Sequence, residues 1–280
     1  MKLITGFLII VFLLPAALLF AAENYLLIAP ESLQYNSSLE EFINWKIEKG
    51  YNVFTLFIQD TNTMQEIDNW VEEQYYALDP SPKFLLLIGD TEGDFGIPTQ
   101  TGNFPQGPGE LNSDLVYGVI GEVSNSNRIP EIYVGRFSCD TEDELQVLVN
   151  KTIWYERDQY LNGADVSYLA TALGVANNKP DYASYQNAII SYGWDYYFND
   201  TYINPYTGET NGINGISYTY PHPDTLVLVQ NIKDQINNGL GFYYYIGNSD
   251  AFRFKYPNFT IADLLELNNF QKYPIVMGGG

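Results

Sequence analysis

Two hydrophobic periods alternate from Tyr25 onward. Short apolar runs at Tyr25–Ala29, Asn52–Ile58 and Lys83–Ile88 read as buried parallel strands. Between them, apolar residues recur at helical spacing: Leu39, Phe42, Ile43 and Ile47 in one segment, Ile67, Trp70 and Val71 in the next. Ser38-Leu39-Glu40-Glu41 and Thr63-Met64-Gln65-Glu66 are capping boxes that open these helices. The order β-α-β-α-β predicts a parallel sheet with helices on its faces. Residues 91–112, rich in Gly, Pro, Asn and Thr, carry no period and predict a long loop of the kind that covers a site. Asp114–Gly118 and Glu131–Phe137 read as short strands, and Thr141-Glu142-Asp143-Glu144 caps a helix running to about Asp158.

The stretch Leu161–Asp165 predicts a boundary, after which the alternation restarts. A strand is expected over 168–175, a helix over 185–192 closed by Gly193, and a Tyr/Asn/Gly-rich connection over 196–221. A helix over 226–238 closed by Gly239, a strand over 241–246, a short helix over 261–267 and a strand over 274–277 complete the series. The fold class is α/β, with two tandem subdomains at 23–160 and 161–280 built on mainly parallel sheets flanked by helices. Gly278-Gly279-Gly280 reads as a βα turn whose helix is missing, so the expectation is a chain truncated there, against the alternative of an edge strand that finishes the domain.

Composition narrows the function. At 46% hydrophobic and 17% charged, the 280 residues are globular. Thirteen Lys+Arg against 34 Asp+Glu give a net charge of −21, which excludes nucleic-acid binding by the usual electrostatic route. Lys2, the apolar run Leu3–Phe20 and the small pair Ala21-Ala22 describe a secretory signal peptide over 1–22, predicting an exported domain with no membrane attachment after cleavage. A single Cys, Cys139, rules out an internal disulfide or Cys-based zinc site, and a single His, His222, rules out a His-rich metal centre.

In open α/β sheets, sites form where strands end at their carboxyl edge. Two such turns stand out, Ile246-Gly247-Asn248-Ser249-Asp250 and Met277-Gly278-Gly279-Gly280. The bland reading is that their glycines only turn the chain.

Several ordered motifs carry a further likeness: Ser113-Asp114-Leu115-Val116-Tyr117-Gly118, Val134-Gly135-Arg136-Phe137-Ser138-Cys139 and Thr152-Ile153-Trp154-Tyr155-Glu156-Arg157. Leu86-Leu87-Ile88-Gly89-Asp90 and Phe42-Ile43-Asn44-Trp45-Lys46 support them. With these the chain, from Tyr25 to Gly280, resembles the gingipain-type family of secreted cysteine endopeptidases in the caspase-like clan. The resemblance implies proteolysis of protein or peptide substrates, a second subdomain with a caspase-like active site, and no required cofactor. In that family the catalytic His lies in a Tyr-x-Gly-His-Gly-like turn. The matching turn here is Tyr245-Ile246-Gly247-Asn248-Ser249, so Asn248 takes the His position. The backbone N–H of Ser249 falls at the oxyanion site, and the nucleophilic Cys would follow Gly280. An Asn amide does not titrate near neutral pH, so the chain as given is expected to be inactive.

Other residues offer weaker substitutes. Cys139 lies in a motif that the family uses structurally and reads as a buried thiol, and His222, between Pro221 and Pro223, reads as an exposed turn residue. Asp90, Glu92 and Asp94 fail the EF-hand pattern at Phe95 and Thr101, although the family carries structural calcium and an irregular site stays open. The alternative to an endopeptidase domain is a non-catalytic pseudo-peptidase that binds peptides or surfaces. A calcium- or glycan-binding domain on the same fold is the third reading, with the run Tyr243-Tyr244-Tyr245 better read as core.

Overall fold

The computed structural model describes residues 22–103, 110–124, 127–177, 179–210, 212–222 and 224–279. Residues 1–21, where the signal peptide is expected, and Gly280 lie outside them. The chain divides into two compact units between Val149 and Asn150, within a helix and ahead of the loop at 161–165.

The first unit runs β1 (Asn24–Pro30), α1 (Ser37–Glu48), β2 (Asn52–Ile58), α2 (Met64–Ala77) and β3 (Phe84–Ile88). A hairpin of β4 (Gln100–Asn103) and β5 (Glu110–Ser113) precedes β6 (Tyr133–Phe137) and α3 (Glu142–Ile153). The main sheet has the order β2-β1-β3-β6 and is parallel throughout. Leu26, Ile28, Leu85 and Leu87 share one face, where Ile67 and Val71 of α2 close over them. The alternate residues Leu27, Ala29 and Leu86 point to the other face and are also buried. On α1, Phe42 meets Phe137 of β6 edge-on, with ring centroids 5.4 Å apart.

The second unit begins as α3 passes through a π-type turn at Trp154–Asp158 into α4 (Gln159–Leu161). It continues with β7 (Thr171–Ala176), α5 (Ala183–Tyr196), β8 (Asn214–Tyr218), α6 (Thr225–Asn238) and β9 (Phe242–Ile246). Three two-residue strands, β10 (Ser249–Asp250), β11 (Arg253–Phe254) and β12 (Phe259–Thr260), form an antiparallel meander, followed by α7 (Ile261–Leu265) and β13 (Ile275–Gly279). The parallel sheet has the order β13-β9-β7-β8. One of its faces packs Leu173, Val175, Tyr243 and Tyr245 against Leu228, Ile232 and Ile236 of α6. The other packs Ala172, Ala176 and Ile246 against Ile190 and Trp194 of α5. The tyrosines of β9 are therefore core, as expected.

Several sequence expectations need correction. The α1 cap is Asn36 rather than Ser38, because the Asn36 Oδ1 accepts from both Ser38 N (3.0 Å) and Leu39 N (3.1 Å). Asp114–Tyr117 is a 3₁₀ turn rather than a strand, started by Ser113 Oγ accepting from Leu115 N. The periodless stretch 91–112 contains the β4–β5 hairpin. Residues 167–170 are a 3₁₀ turn, so the next strand starts only at Thr171. Gly193 does not close α5: burial of Trp194 carries the helix past it to Tyr196, where Tyr197 N and Phe198 N both donate to Gly193 O. The connection 196–221 hides β8, an edge strand of polar sequence. Gly278 and Gly279 are not a turn: they sit in β13, paired with Tyr245 and Ile246.

Two glycines show why no side chain fits. At Gly174 in β7 and Gly215 in β8, a Cβ would lie 2.5 Å from the Trp194 ring and 2.2 Å from Phe198 O respectively. Among the described residues, no helix is long and apolar enough to cross a membrane.

Candidate active site

The carboxyl edge of the second sheet is where β7, β9 and β13 end together. Asn177 N donates to Ile246 O (2.9 Å) and Gly247 N donates to Gly279 O (2.7 Å), which locks the three strand ends in register. Gly247 leaves no room for a side chain, since a Cβ there would meet Asn177 Cβ at 2.5 Å and the Tyr245 hydroxyl at 2.6 Å. The chain then reverses into the β10–β11 arm. Tyr245 Oη donates to Asn248 O (2.9 Å), Lys255 N donates to the same oxygen (2.9 Å), and the Tyr245 ring stacks on Phe254 at 4.2 Å. Asn248 is thus exposed yet held at its backbone from two sides. Ser249 opens β10 opposite Phe254 and is also exposed.

Asn248 has a partner that the sequence reading missed. Asn177, fully buried, donates from Nδ2 to Asn248 Oδ1 at 2.8 Å. Its own Oδ1 is buried with no hydrogen-bond partner among the described residues. A polar residue directly following the apolar strand Leu173-Gly174-Val175-Ala176 was the available signal. The pair consists of two amides. It can orient a carbonyl or an N–H, but neither side chain exchanges a proton near neutral pH.

The chain matches the model of peptidase family C25 over residues 19–280. It belongs to that family. Among curated relatives, gingipain R2 of Porphyromonas gingivalis is 24% identical over 262 residues, covering 91% of this chain and 32% of that protein. A Lys-gingipain of the same organism is 25% identical over 260 residues, covering 88% of this chain and 13% of its own length. A solved structure described as a protease superposes with a TM-score of 0.73 at 23% identity, covering 92% of this chain and 52% of the other. The Arg-specific cysteine proteinase gingipain R gives 0.66 at 20% identity, over 91% and 54%. The chain spans about a third or less of these curated relatives and about half of these solved chains. The structural likeness shows a shared caspase-like fold.

Within this C25 chain, the motifs that carry the likeness most specifically build a scaffold. Arg136 makes a bidentate pair with Asp114, Nε to Oδ2 at 2.9 Å and Nη2 to Oδ1 at 2.7 Å. Its Nη1 donates to Gly89 O and Asp90 O, and Thr99 Oγ1 donates to Asp114 Oδ1. Three strand-end segments of the first unit are tied by one guanidinium. Burial alone would raise the Asp114 carboxyl, but the Arg136 hydrogen bonds and charge, with Thr99, hold it below its ordinary value.

Cys139 is buried in the first unit, as expected. Burial, then the charges of Glu144, Asp140 and Asp90, pushes its thiol up to about 11, the reverse of what a nucleophile needs. His222 differs from the expectation of an exposed turn residue. It is half-buried, its ring lies edge-on to Tyr218, and its Nε2 is 3.2 Å from Ala176 O, a contact that requires the Nε2–H tautomer. Burial lowers its pKa, with the bond to Ala176 opposing, so the imidazole is neutral at pH 7. Asp90, Glu92 and Asp94 lie in the loop after β3; among the described residues, no three His, Cys, Asp or Glu side chains gather closely enough to hold a metal ion. Asp181, the other acid near the site in sequence, is exposed and pairs loosely with Lys179 at 3.9 Å.

Proposed function

We propose that this chain is an exported, gingipain-type endopeptidase domain in which the acid–base position is filled by a non-titrating amide, so that the chain as it stands does not hydrolyse peptide bonds. The observation that carries this reading is the hydrogen bond between Asn177 and Asn248 at the carboxyl edge of the caspase-like sheet. Thiol proteolysis needs a thiolate to attack the carbonyl and an imidazole to hold it and protonate the leaving amine. Acid–base assistance of that kind contributes roughly 10²–10⁴-fold. The only thiol, Cys139, is held protonated, and the only imidazole, His222, spends its Nε2 on a backbone carbonyl.

Export is supported by Lys2, the apolar run after it and the small residues at Ala21 and Ala22. Proteins or peptides are the ligands that the family membership favours, whether as substrates or, on the pseudo-peptidase reading, as partners that are held uncut. The second reading gains from the site's geometry: Asn248 has its Oδ1 engaged and its backbone fixed, a preorganised arrangement suited to holding a peptide group.

Mass spectrometry of an unfolded-protein digest passed over the immobilised chain tests both. Peptides retained and eluted intact support the proposal. New termini generated during the incubation, above those in a chain-free control, overturn it.

A further inference from the structure

The outward face of α5 presents a stripe of tyrosines. Tyr185, Tyr192 and Tyr196, with Tyr182 just before the helix, are between 44% and 69% exposed. The opposite side, Ala183, Gln186, Ile190 and Trp194, is buried. Toward the end of the helix four rings form a continuous layer: Tyr192 and Tyr196 are 4.9 Å apart between centroids, Tyr192 and Tyr197 are 6.0 Å apart, and Tyr196 and Tyr202 are 5.4 Å apart. Solvent-facing aromatics packed against one another in this way leave large π faces open to a partner.

The stretch of chain that carries these rings holds formal charge of one sign. Residues 180–232 hold nine tyrosines and five acids, Asp181, Asp195, Asp200, Glu209 and Asp224, and contain no Lys or Arg at all. Aromatic faces attract cations through their quadrupole, and the nearby carboxylates add to that field. One cation already uses the end of the stripe, Lys179 Nζ, 5.0 Å from the centre of the Tyr182 ring.

We propose that the tyrosine face of α5 docks a basic peptide segment, with Lys or Arg side chains seated over the exposed rings between Asp181 at one end and Asp195 and Asp200 at the other. The spacing sets a register. Tyr185 and Tyr192 are seven positions apart on the helix, about 10 Å, which is the length of roughly three residues of extended peptide. Cations three residues apart on the partner therefore meet Tyr185 and the paired rings of Tyr192 and Tyr196. Docking here does not depend on chemistry at Asn248, and it stands whether or not the chain hydrolyses anything.

Calorimetric titration of the whole chain tests the proposal, using a synthetic Gly/Ser peptide with Arg at every third position. Its Glu-substituted counterpart and a neutral oligosaccharide serve as competing probes. The Arg peptide should bind, weaken several-fold as salt rises from 50 to 300 mM (an order-of-magnitude expectation from screening), and lose about tenfold or more in Tyr192→Ala/Tyr196→Ala. Tyr192→Phe should retain binding and Tyr192→Leu should lose it, because the ring face rather than apolar area is required. All four substitutions are at exposed positions, and circular dichroism checks that each variant is folded. No binding of the Arg peptide, equal binding of the Glu peptide, unchanged affinity in the double variant, or binding by Tyr192→Leu equal to wild type would each overturn the proposal. Displacement of the peptide by the oligosaccharide would do so too, by making the stripe a sugar platform.

Discussion

Replacing Arg136 by Ala tests the claim that the most family-specific motifs serve structure. The guanidinium donates twice to Asp114 and once each to the carbonyls of Gly89 and Asp90. The Arg136 side chain is 9% exposed and that of Asp114 is 25% exposed, so removing the cation strands a largely buried carboxylate and two backbone acceptors. Breaking a buried pair from one side costs about 3–5 kcal/mol. The partial exposure of Asp114 puts the expectation at the lower end, about 3 kcal/mol. Arg136→Lys keeps the charge but loses the fork, and should fall about halfway between. Urea denaturation of the whole chain, followed by hydrogen exchange at the β3 and β6 amides, reads the loss in the first unit. The pH dependence gives an independent check. Because the Asp114 carboxyl is held below its ordinary value, its contribution is present above about pH 4 and fades as pH falls through the folded value. That acid-labile component should be missing from Arg136→Ala. A loss under about 1 kcal/mol, the scale of a surface pair, would refute the reasoning.

Three further outcomes follow from burial. Asp68 on α2 is 7% exposed, and burial, with the charge of Glu72 second, pushes its carboxyl up to about 6. The folded state therefore holds a proton that the unfolded chain releases between about pH 4 and 6, so wild-type stability falls across that window as pH rises. Asp68→Asn should remove the slope and gain about 2 kcal/mol at pH 8, measured by urea titration at each pH. Gly174→Ala drives a methyl into Trp194 and should cost about 1–3 kcal/mol, whereas Gly135→Ala, whose Cβ would sit 3.6 Å from Leu86, should be tolerated; paired thermal melts distinguish them. Iodoacetamide at pH 8 should label native Cys139 on the order of 100-fold more slowly than the unfolded chain, and rapid native labelling would contradict a thiol pushed up to about 11.

The sheet cores are legible because short, unbroken apolar runs alternate with helical periods. Tyr25–Ala29 and Lys83–Ile88 are runs that only a strand buried on both faces requires, and the Thr63–Glu66 capping box forms as expected. What failed was local chemistry decided by distant partners. Asp114–Tyr117 has strand-like residues, yet Arg136, 22 positions away, and the Ser113 cap hold it as a 3₁₀ turn. The polar strand Asn214–Tyr218 has no hydrophobic period because it lies at an edge, and its place was visible only through pairing with β7. At the candidate site, the sequence places Asn248 in the turn that follows β9, where the structure has it. Asn177 is marked locally only as a polar residue after an apolar strand; its partner, 71 positions away, is encoded by no local pattern. His222 follows the same rule: its flanking prolines suggest exposure, while the contact of Nε2 with the Ala176 carbonyl holds the ring half-buried.

The central claim is that an amide pair occupies the acid–base position and leaves this chain without proteolytic turnover. Steady-state hydrolysis of a fluorogenic peptide panel, with Arg, Lys and apolar residues before the scissile bond, tests it across pH 5–9 on the chain and on Cys139→Ala. The account predicts no turnover above buffer at any pH and no difference between the two proteins. Turnover with a rising limb near the ordinary histidine range, abolished by Cys139→Ala, would contradict it and place a working dyad elsewhere in the chain.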